Sequence, residues 1–243
     1  MAKQRTPDGP PPPPPVQKLR VQYARRGRLR YSSTRDFGRA LERALRRSGV
    51  PMAYSAGFHP HPKISYANGA PTGAASEAEY FEISVTERVD PDSVAKALDE
   101  ALPEGLDIVS VVDAEPGALA DRLQASRWQL RFPGVELADL EQAVAGFLSE
   151  EVVEVQRMFK RGLKSYDARG PVIWTRTGLD EDGCAILTMV VRHTTPAVRP
   201  DDVLSAITAA TSFAPPRSPI ATRLAQGIWS SETESVADPL AAD

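Results

Sequence analysis

The sequence predicts an α+β protein of two tandem units, each with an antiparallel sheet. Period-two alternation and period-3.6 apolar stripes follow one another over 16–115 in the order strand, helix, strand, strand, helix, strand. The same order returns over 125–229, although the two halves share little residue identity. Two βαββαβ runs of this kind imply two ferredoxin-like units, each with two helices on one face of four strands. No apolar run approaches the ~20 residues of a membrane span, and no apolar signal-peptide core opens the chain. The single cysteine, Cys184, excludes an internal disulfide. A soluble cytoplasmic protein is expected.

Residues 1–15 end in six consecutive prolines, Pro10 to Pro15, and are expected to be a disordered polyproline II tail. Leu19, Val21 and Tyr23 alternate with Arg20 and Gln22 as a half-buried strand, and Leu29 and Tyr31 are expected to extend its edge beyond a bend at Arg26–Arg28. Ser33 and Asp36 have capping-box spacing ahead of a helix whose apolar stripe is Phe37, Leu41, Ala44 and Leu45. Arg39, Arg43, Arg46 and Arg47 form a second stripe on that helix, which Gly49 and Pro51 end. Lys63–Ala67 reads as a short strand, Asn68–Ala75 as a loop of small residues, and Phe81, Ile83 and Val85 as a third strand with Tyr80, Glu82 and Ser84 on its other face. A helix from Asp90-Pro91 and a strand from Leu106 to Val111 complete the first unit.

In the second unit, Trp128–Phe132 is a strand and Leu137–Leu148 a helix. Val152, Val153 and Val155 begin a strand. Phe159 to Trp174, which holds Lys160, Arg161, Lys164 and Arg169, is expected to be a long basic loop between the second and third strands. Ala185–Val191 is a strand, Asp201–Ala210 a helix and Ile220–Trp229 a last strand. The acidic tail 230–243, with Glu232, Glu234, Asp238 and Asp243, is expected to be disordered.

The chemistry concentrates in Ala53–Gly73, which contains His59 and His61, two of the three histidines. Pro60 and Pro62 bias their predecessors out of the α region, so Gly57–Pro62 is expected to be an extended, stiff arm. In an extended chain His59, His61, Lys63 and Ser65 share one face and Ile64 and Tyr66 the other. Charge is strongly polarised: residues 1–66 carry fourteen Lys/Arg against Asp8, Asp36 and Glu42, in a chain of net charge −3. A solvated basic face and a nucleic-acid surface both fit that pattern. His61 fits a structural role or a contact to phosphate or base. No metal is expected, because no second ligand pair lies near His59 and His61 and His193 is far off in sequence. No Walker or Rossmann glycine pattern occurs, and no Ser/His/Asp triad follows from the spacing.

The run of Ser33, Asp36, the four arginines, Tyr54, Ser55, Gly57, Phe58, Pro60 to Ser65, Gly73, Ser76 and Glu79 resembles the DUF2344 family, also called the radical SAM-linked protein family. The likeness is specific over Lys18 to about Val85 and weaker to about Trp229, where Lys164, Asp167 and Arg169 resemble a second patch. Thr34 departs from it, standing where the family often has histidine. The resemblance implies an accessory to a radical SAM protein. The arginine stripe, the HPHPK arm and the basic loop make the four arginines, Tyr54, Ser55, Phe58, His59, His61, Lys63, Lys164, Asp167 and Arg169 the candidate contacts to RNA or partner. One cysteine cannot hold a radical SAM cluster, which needs three, so no cofactor is expected in this chain. Three functions follow as expectations: an RNA-binding accessory (tRNA or rRNA) for a radical SAM enzyme; a metal-independent endoribonuclease with His61 and Lys63 as acid–base pair, by fold analogy with CRISPR RNA-processing proteins of the RAMP group; and a protein-interaction subunit without RNA.

Overall fold

The computed structural model describes residues 11–160 and 162–241. The expected tail at 1–10, and Arg161 of the basic segment, therefore lie outside the described residues, as do 242–243. The chain divides into two compact units after Ala118. No helix is long and apolar enough to cross a membrane.

The first unit runs β1 (Gln17–Arg25), a 3-10 turn (Gly27–Tyr31), α1 (Thr34–Arg47), β2 (Ile64–Ala67), β3 (Ala75–Val85), α2 (Pro91–Ala101) and β4 (Leu106–Asp113). Its strands lie in the order β4-β1-β3-β2, every neighbour antiparallel, with Val21 opposite both Val111 and Phe81, and Tyr66 opposite Phe81. Leu19, Val21 and Tyr23 of β1, Phe81, Ile83 and Val85 of β3, the α1 stripe and Val94 and Leu98 of α2 form one buried cluster. Tyr23 stacks on Phe37 with ring centroids 4.2 Å apart. The capping box forms as the spacing predicts: Ser33 Oγ accepts from Asp36 N at 3.2 Å, and Asp36 accepts from Ser33 N at 3.3 Å. Those bonds to Ser33, with Arg39 and Arg35 adding to them, hold the Asp36 carboxyl below its usual range.

Two features of this unit differ from expectation. Leu29 and Tyr31 do not extend the strand. Gly27 takes φ +52°, and the chain coils into the 3-10 turn closed by Ser32 N to Leu29 O at 2.9 Å. Arg26 N there reaches Gly105 O at 2.8 Å, an approach so close that a Cβ on Gly105 would stand 3.1 Å from Arg26 O. Second, β1, expected to be half-buried, has Arg20 of its polar face buried, as is Glu82 opposite it on β3. Arg20, with its side chain 1% exposed, donates from Nε to Glu82 at 3.1 Å and from Nη2 to Gly117 O at 2.7 Å, while Lys18 also pairs with Glu82. Alternation of polar residues reads as a wet face, and only the buried ion pair shows otherwise.

The second unit runs α3 (Leu119–Arg122), β5 (Ala125–Phe132), α4 (Leu137–Ser149), β6 (Glu154–Phe159), β7 (Gly162–Asp167), β8 (Val172–Leu179), β9 (Ala185–Arg192), α5 (Pro200–Thr211), β10 (Ile220–Gly227), β11 (Trp229–Ser230) and β12 (Ser235–Val236). Four of its strands lie in the order β10-β5-β9-β8, again antiparallel, with Leu130 opposite Leu187 and Ala221. Leu140, Val144 and Phe147 of α4 and Val203, Ala206 and Ile207 of α5 are buried.

The expected long loop at 159–174 is instead mostly a hairpin. Among the described residues β6 and β7 pair only with each other, Gln156 opposite Ser165, and the strand begun at Val152 stands outside the main sheet. Its place there is taken by β8, whose Thr-Arg-Thr-Gly stretch carries little apolar signal and is held by pairing with β9. The described part of the tail, 230–241, is ordered. Trp229 pairs with Val236, Leu240 is buried, and Arg122 donates to the Ala241 carbonyl at 3.1 Å. Gly227 admits this return, because a Cβ there would overlap the Ala237 carbonyl oxygen. The acids of the tail mask two apolar anchors.

The Arg20–Glu82 pair generates a stability prediction. Glu82→Ala leaves Arg20 buried without its carboxylate and should cost about 3–5 kcal/mol, whereas Arg20→Met combined with Glu82→Leu should cost much less. Chemical denaturation of the two variants and the wild type checks this. A Glu82→Ala chain as stable as the wild type would contradict it.

Candidate nucleic-acid interface

The α1 helix buries one stripe and exposes the other. Arg39, Arg43, Arg46 and Arg47 are all exposed, as is Arg35 one turn before them. Positions three and four apart share a helix face, so these side chains form one ridge. Arg35, Arg39, Arg43 and Arg46 make no ion pair among the described residues. Arg47 donates to the Ala101 carbonyl at the end of α2 and is in part structural.

The proline-framed segment is a hairpin and not an extended arm. The chain bends through Ala56–His59, with Gly57 at φ +136°. Its two legs meet at a bridge between Tyr54 and Pro62. Ser55 N donates to His61 O at 2.9 Å, and His61 N donates to Ser55 Oγ at 3.0 Å. The bend undoes the predicted common face. His61, with Pro60 and Pro62, lines a cavity of about 460 Å³ against the end of α1, while His59 and Lys63 do not line it. Glu42, Leu45, Arg46, Met52 and Tyr54 also line it. Phe58 stands at the tip, 62% exposed. Of the first unit's predicted site residues, the structure thus gathers Arg46, Tyr54 and His61 in one place.

In the second unit the predicted residues have local work. Asp167 accepts from Val153 N at 3.1 Å, Arg169 N at 2.8 Å and Gly170 N at 2.9 Å, closing the turn from β7 to β8. Arg169 donates to Val172 O at 3.0 Å and to Leu148 O, near the end of α4, at 3.3 Å. Lys164 is exposed, 5.6 Å from the centre of the Phe159 ring.

Sequence reasoning missed Glu42, one turn from Arg46 and facing the same cavity; helical spacing alone could have found it. It also missed Arg25, which is buried and donates to the carbonyls of Ala70, Pro71 and Ala74, while Glu79 accepts from Ala70 N at 3.0 Å. Together these two charges shape the small-residue loop. His193 has a comparable role in the second unit. Its Nδ1 donates to Leu123 O at 2.8 Å, so Nε2 accepts from Ser126 Oγ at 2.7 Å. Ser126 is buried, which makes this pair structural and not a reachable nucleophile.

An α+β protein with an unpaired arginine ridge beside a proline-framed histidine hairpin is what fold and site define. The sequence model of the family described as "Uncharacterized protein conserved in bacteria (DUF2344)" matches residues 18–200, and the chain belongs to that family. No curated protein matches it. Among solved structures, it is similar to DyPB from Rhodococcus jostii RHA1, at 11% identity over 86% of this chain and 90% of that one, with a TM-score of 0.20. A second is the encapsulated DyP-type peroxidase from Mycobacterium smegmatis, at 10% identity over 90% and 94% of the two chains, with a TM-score of 0.19. Scores this low carry no argument about fold or function.

His193 makes the second unit sensitive to acid. Burial, with Arg223 adding to it, pushes the imidazole below its usual 6.5, against an opposing effect of the Leu123 carbonyl. Below about pH 6.5 the unfolded chain binds a proton that the folded chain does not, so stability is full above that pH and falls as pH drops through it. His193→Gln removes this component. Melting curves at pH 7.5 and 5.5 should show a smaller acid loss for the variant, and identical losses would contradict the assignment.

Proposed function

We propose that this chain is a non-catalytic RNA-binding accessory, built on two ferredoxin-like units, which presents tRNA or rRNA to a partner radical SAM enzyme in the cytoplasm. The observation that carries the RNA reading is the α1 ridge: Arg35, Arg39, Arg43 and Arg46 are exposed and form no ion pair among the described residues. Like charges four apart on a helix destabilise it by a few tenths of a kcal/mol per pair. Binding a phosphate backbone turns that repulsion into attraction. Guanidinium forks match phosphate oxygens bidentately, which favours this use of arginine over lysine. Exposed Phe58 at the hairpin tip, and Tyr31 ahead of α1 with the Arg30 guanidinium 4.7 Å from its ring centre, offer stacking faces for unpaired bases.

The strand orders β4-β1-β3-β2 and β10-β5-β9-β8 support the ferredoxin-like reading, with β6–β7 as an insertion in the second unit. The partner is inferred from the resemblance of Lys18–Val85 to the radical SAM-linked family and from the single cysteine.

Fluorescence anisotropy with single-stranded RNA, across a salt series, tests the proposal. Affinity should fall with salt, with a logarithmic slope of about −0.7 per phosphate contact. Arg39→Gln with Arg43→Gln should weaken binding at low salt and make the slope shallower by about 1.4. Absence of RNA binding at low salt would overturn the RNA reading, and unchanged binding by the variant would overturn the ridge as its site.

A further inference from the structure

The ridge leads into the cavity. Arg46 belongs to both, being the third arginine of the stripe and a wall of the 460 Å³ space under the hairpin. That volume falls within the ~300–1,000 Å³ of small-molecule sites. Buried Leu45 and Met52 supply an apolar lining. Glu42, Arg46, Tyr54 and His61 bring four polar side chains to it, and none makes a side-chain hydrogen bond or ion pair among the described residues. Glu42 and Arg46 stand four apart on α1, the spacing at which such residues ordinarily pair with each other. Here both are left available to a third party.

We propose that this cavity binds one unstacked guanine nucleotide. The inference rests on the RNA reading for the source of the nucleotide, and the donor and acceptor chemistry selects the ligand. A carboxylate only accepts hydrogen bonds and a guanidinium only donates them. The occupant must therefore carry N–H donors at one end and an anion or acceptors at the other, on a flat body that suits an apolar lining and the Tyr54 ring. A nucleotide has that form. Among the four bases, guanine alone offers two adjacent donors, N1–H and the N2 amino group, to the two oxygens of Glu42. Adenine and cytosine offer one amino group, and uracil one ring N–H. Arg46 and His61 then hold the phosphate, as Arg suits bidentate phosphate recognition. The hairpin fixes the backbone of His61 through both bonds to Ser55, so little ordering entropy is lost when the ligand binds. A base flipped out of RNA and a free nucleotide present the same chemistry.

Titration calorimetry of the full chain with GMP, AMP, CMP, UMP and guanosine, paired with anisotropy on guanine-containing and guanine-free RNAs of equal length, tests this. GMP should bind about tenfold or more tighter than the other three monophosphates, the scale of one good bidentate base contact. Guanosine should bind more weakly than GMP, and His61→Ala should narrow that gap. Glu42→Gln should erase the guanine preference while leaving the melting temperature unchanged. Arg39→Gln with Arg43→Gln should leave GMP binding intact. GMP selectivity accompanied by preference for the guanine-containing RNA identifies a base presented by RNA. GMP selectivity without that preference identifies the free nucleotide and also supports the pocket. Equal binding of the four monophosphates, no binding of any, or guanine preference that survives Glu42→Gln overturns the pocket, even where RNA still binds the ridge.

Discussion

Three backbone hydrogen bonds hold the candidate site on the first unit. Ala53 N donates to Ser84 O at 2.8 Å, Lys63 N to Ala53 O at 2.8 Å, and Ser84 N to Lys63 O at 3.1 Å. They tie both legs of the hairpin to the end of β3, and Met52, bridged to Val85, anchors the leading leg in the core. The prolines fit this arrangement. Pro60 and Pro62 lack amide donors, and the neighbouring amides of His61 and Lys63 are the ones directed inward, to Ser55 and Ala53. Without the clamp, Tyr54 and His61 would have no fixed relation to the end of α1, and neither cavity nor shared Arg46 would exist.

The arginines of the first unit divide into two populations. Those facing the interior or the sheet edge have partners: Arg20 meets Glu82, Arg25 meets the carbonyls of the small-residue loop, and Arg26 meets Glu77 and Asp107. Those on α1 form no ion pair among the described residues, although Arg47 donates to the Ala101 carbonyl. The acids brought near the basic segment by folding, Glu77, Glu82 and Asp107, are engaged by the first group. Folding therefore concentrates unpaired positive charge on one helix face. The second unit uses its basic side chains differently, with Arg131 on Asp180 and Arg157 on Asp202, and with Arg169 on backbone carbonyls.

Local signals were legible and long-range ones were not. The Ser33–Asp36 spacing located the start of α1, and the 3.6-residue stripe gave its buried face, because both depend on neighbours within one turn. The arginine ridge followed from the same periodicity. Gly57–Pro62 reads as extended because prolines constrain single residues, whereas the bend depends on Gly57 and on bonds across the legs. The strand β8 was missed because its partner β9 specifies it more than its own composition does. Asp167 and Arg169 looked like a basic loop's functional pair. Their bonds to Val153 and Leu148 depend on contacts that spacing cannot reveal. Glu42, the acid facing the cavity, was overlooked among five nearby arginines.

Ultraviolet crosslinking of the intact chain to RNA, read by peptide mass spectrometry, tests the central claim most directly, since it locates the nucleic acid on the surface. The account predicts crosslinks within 28–47 and 54–66, the ridge and the hairpin. Crosslinks confined to the second unit, or none in a preparation that retains its fold, would contradict it.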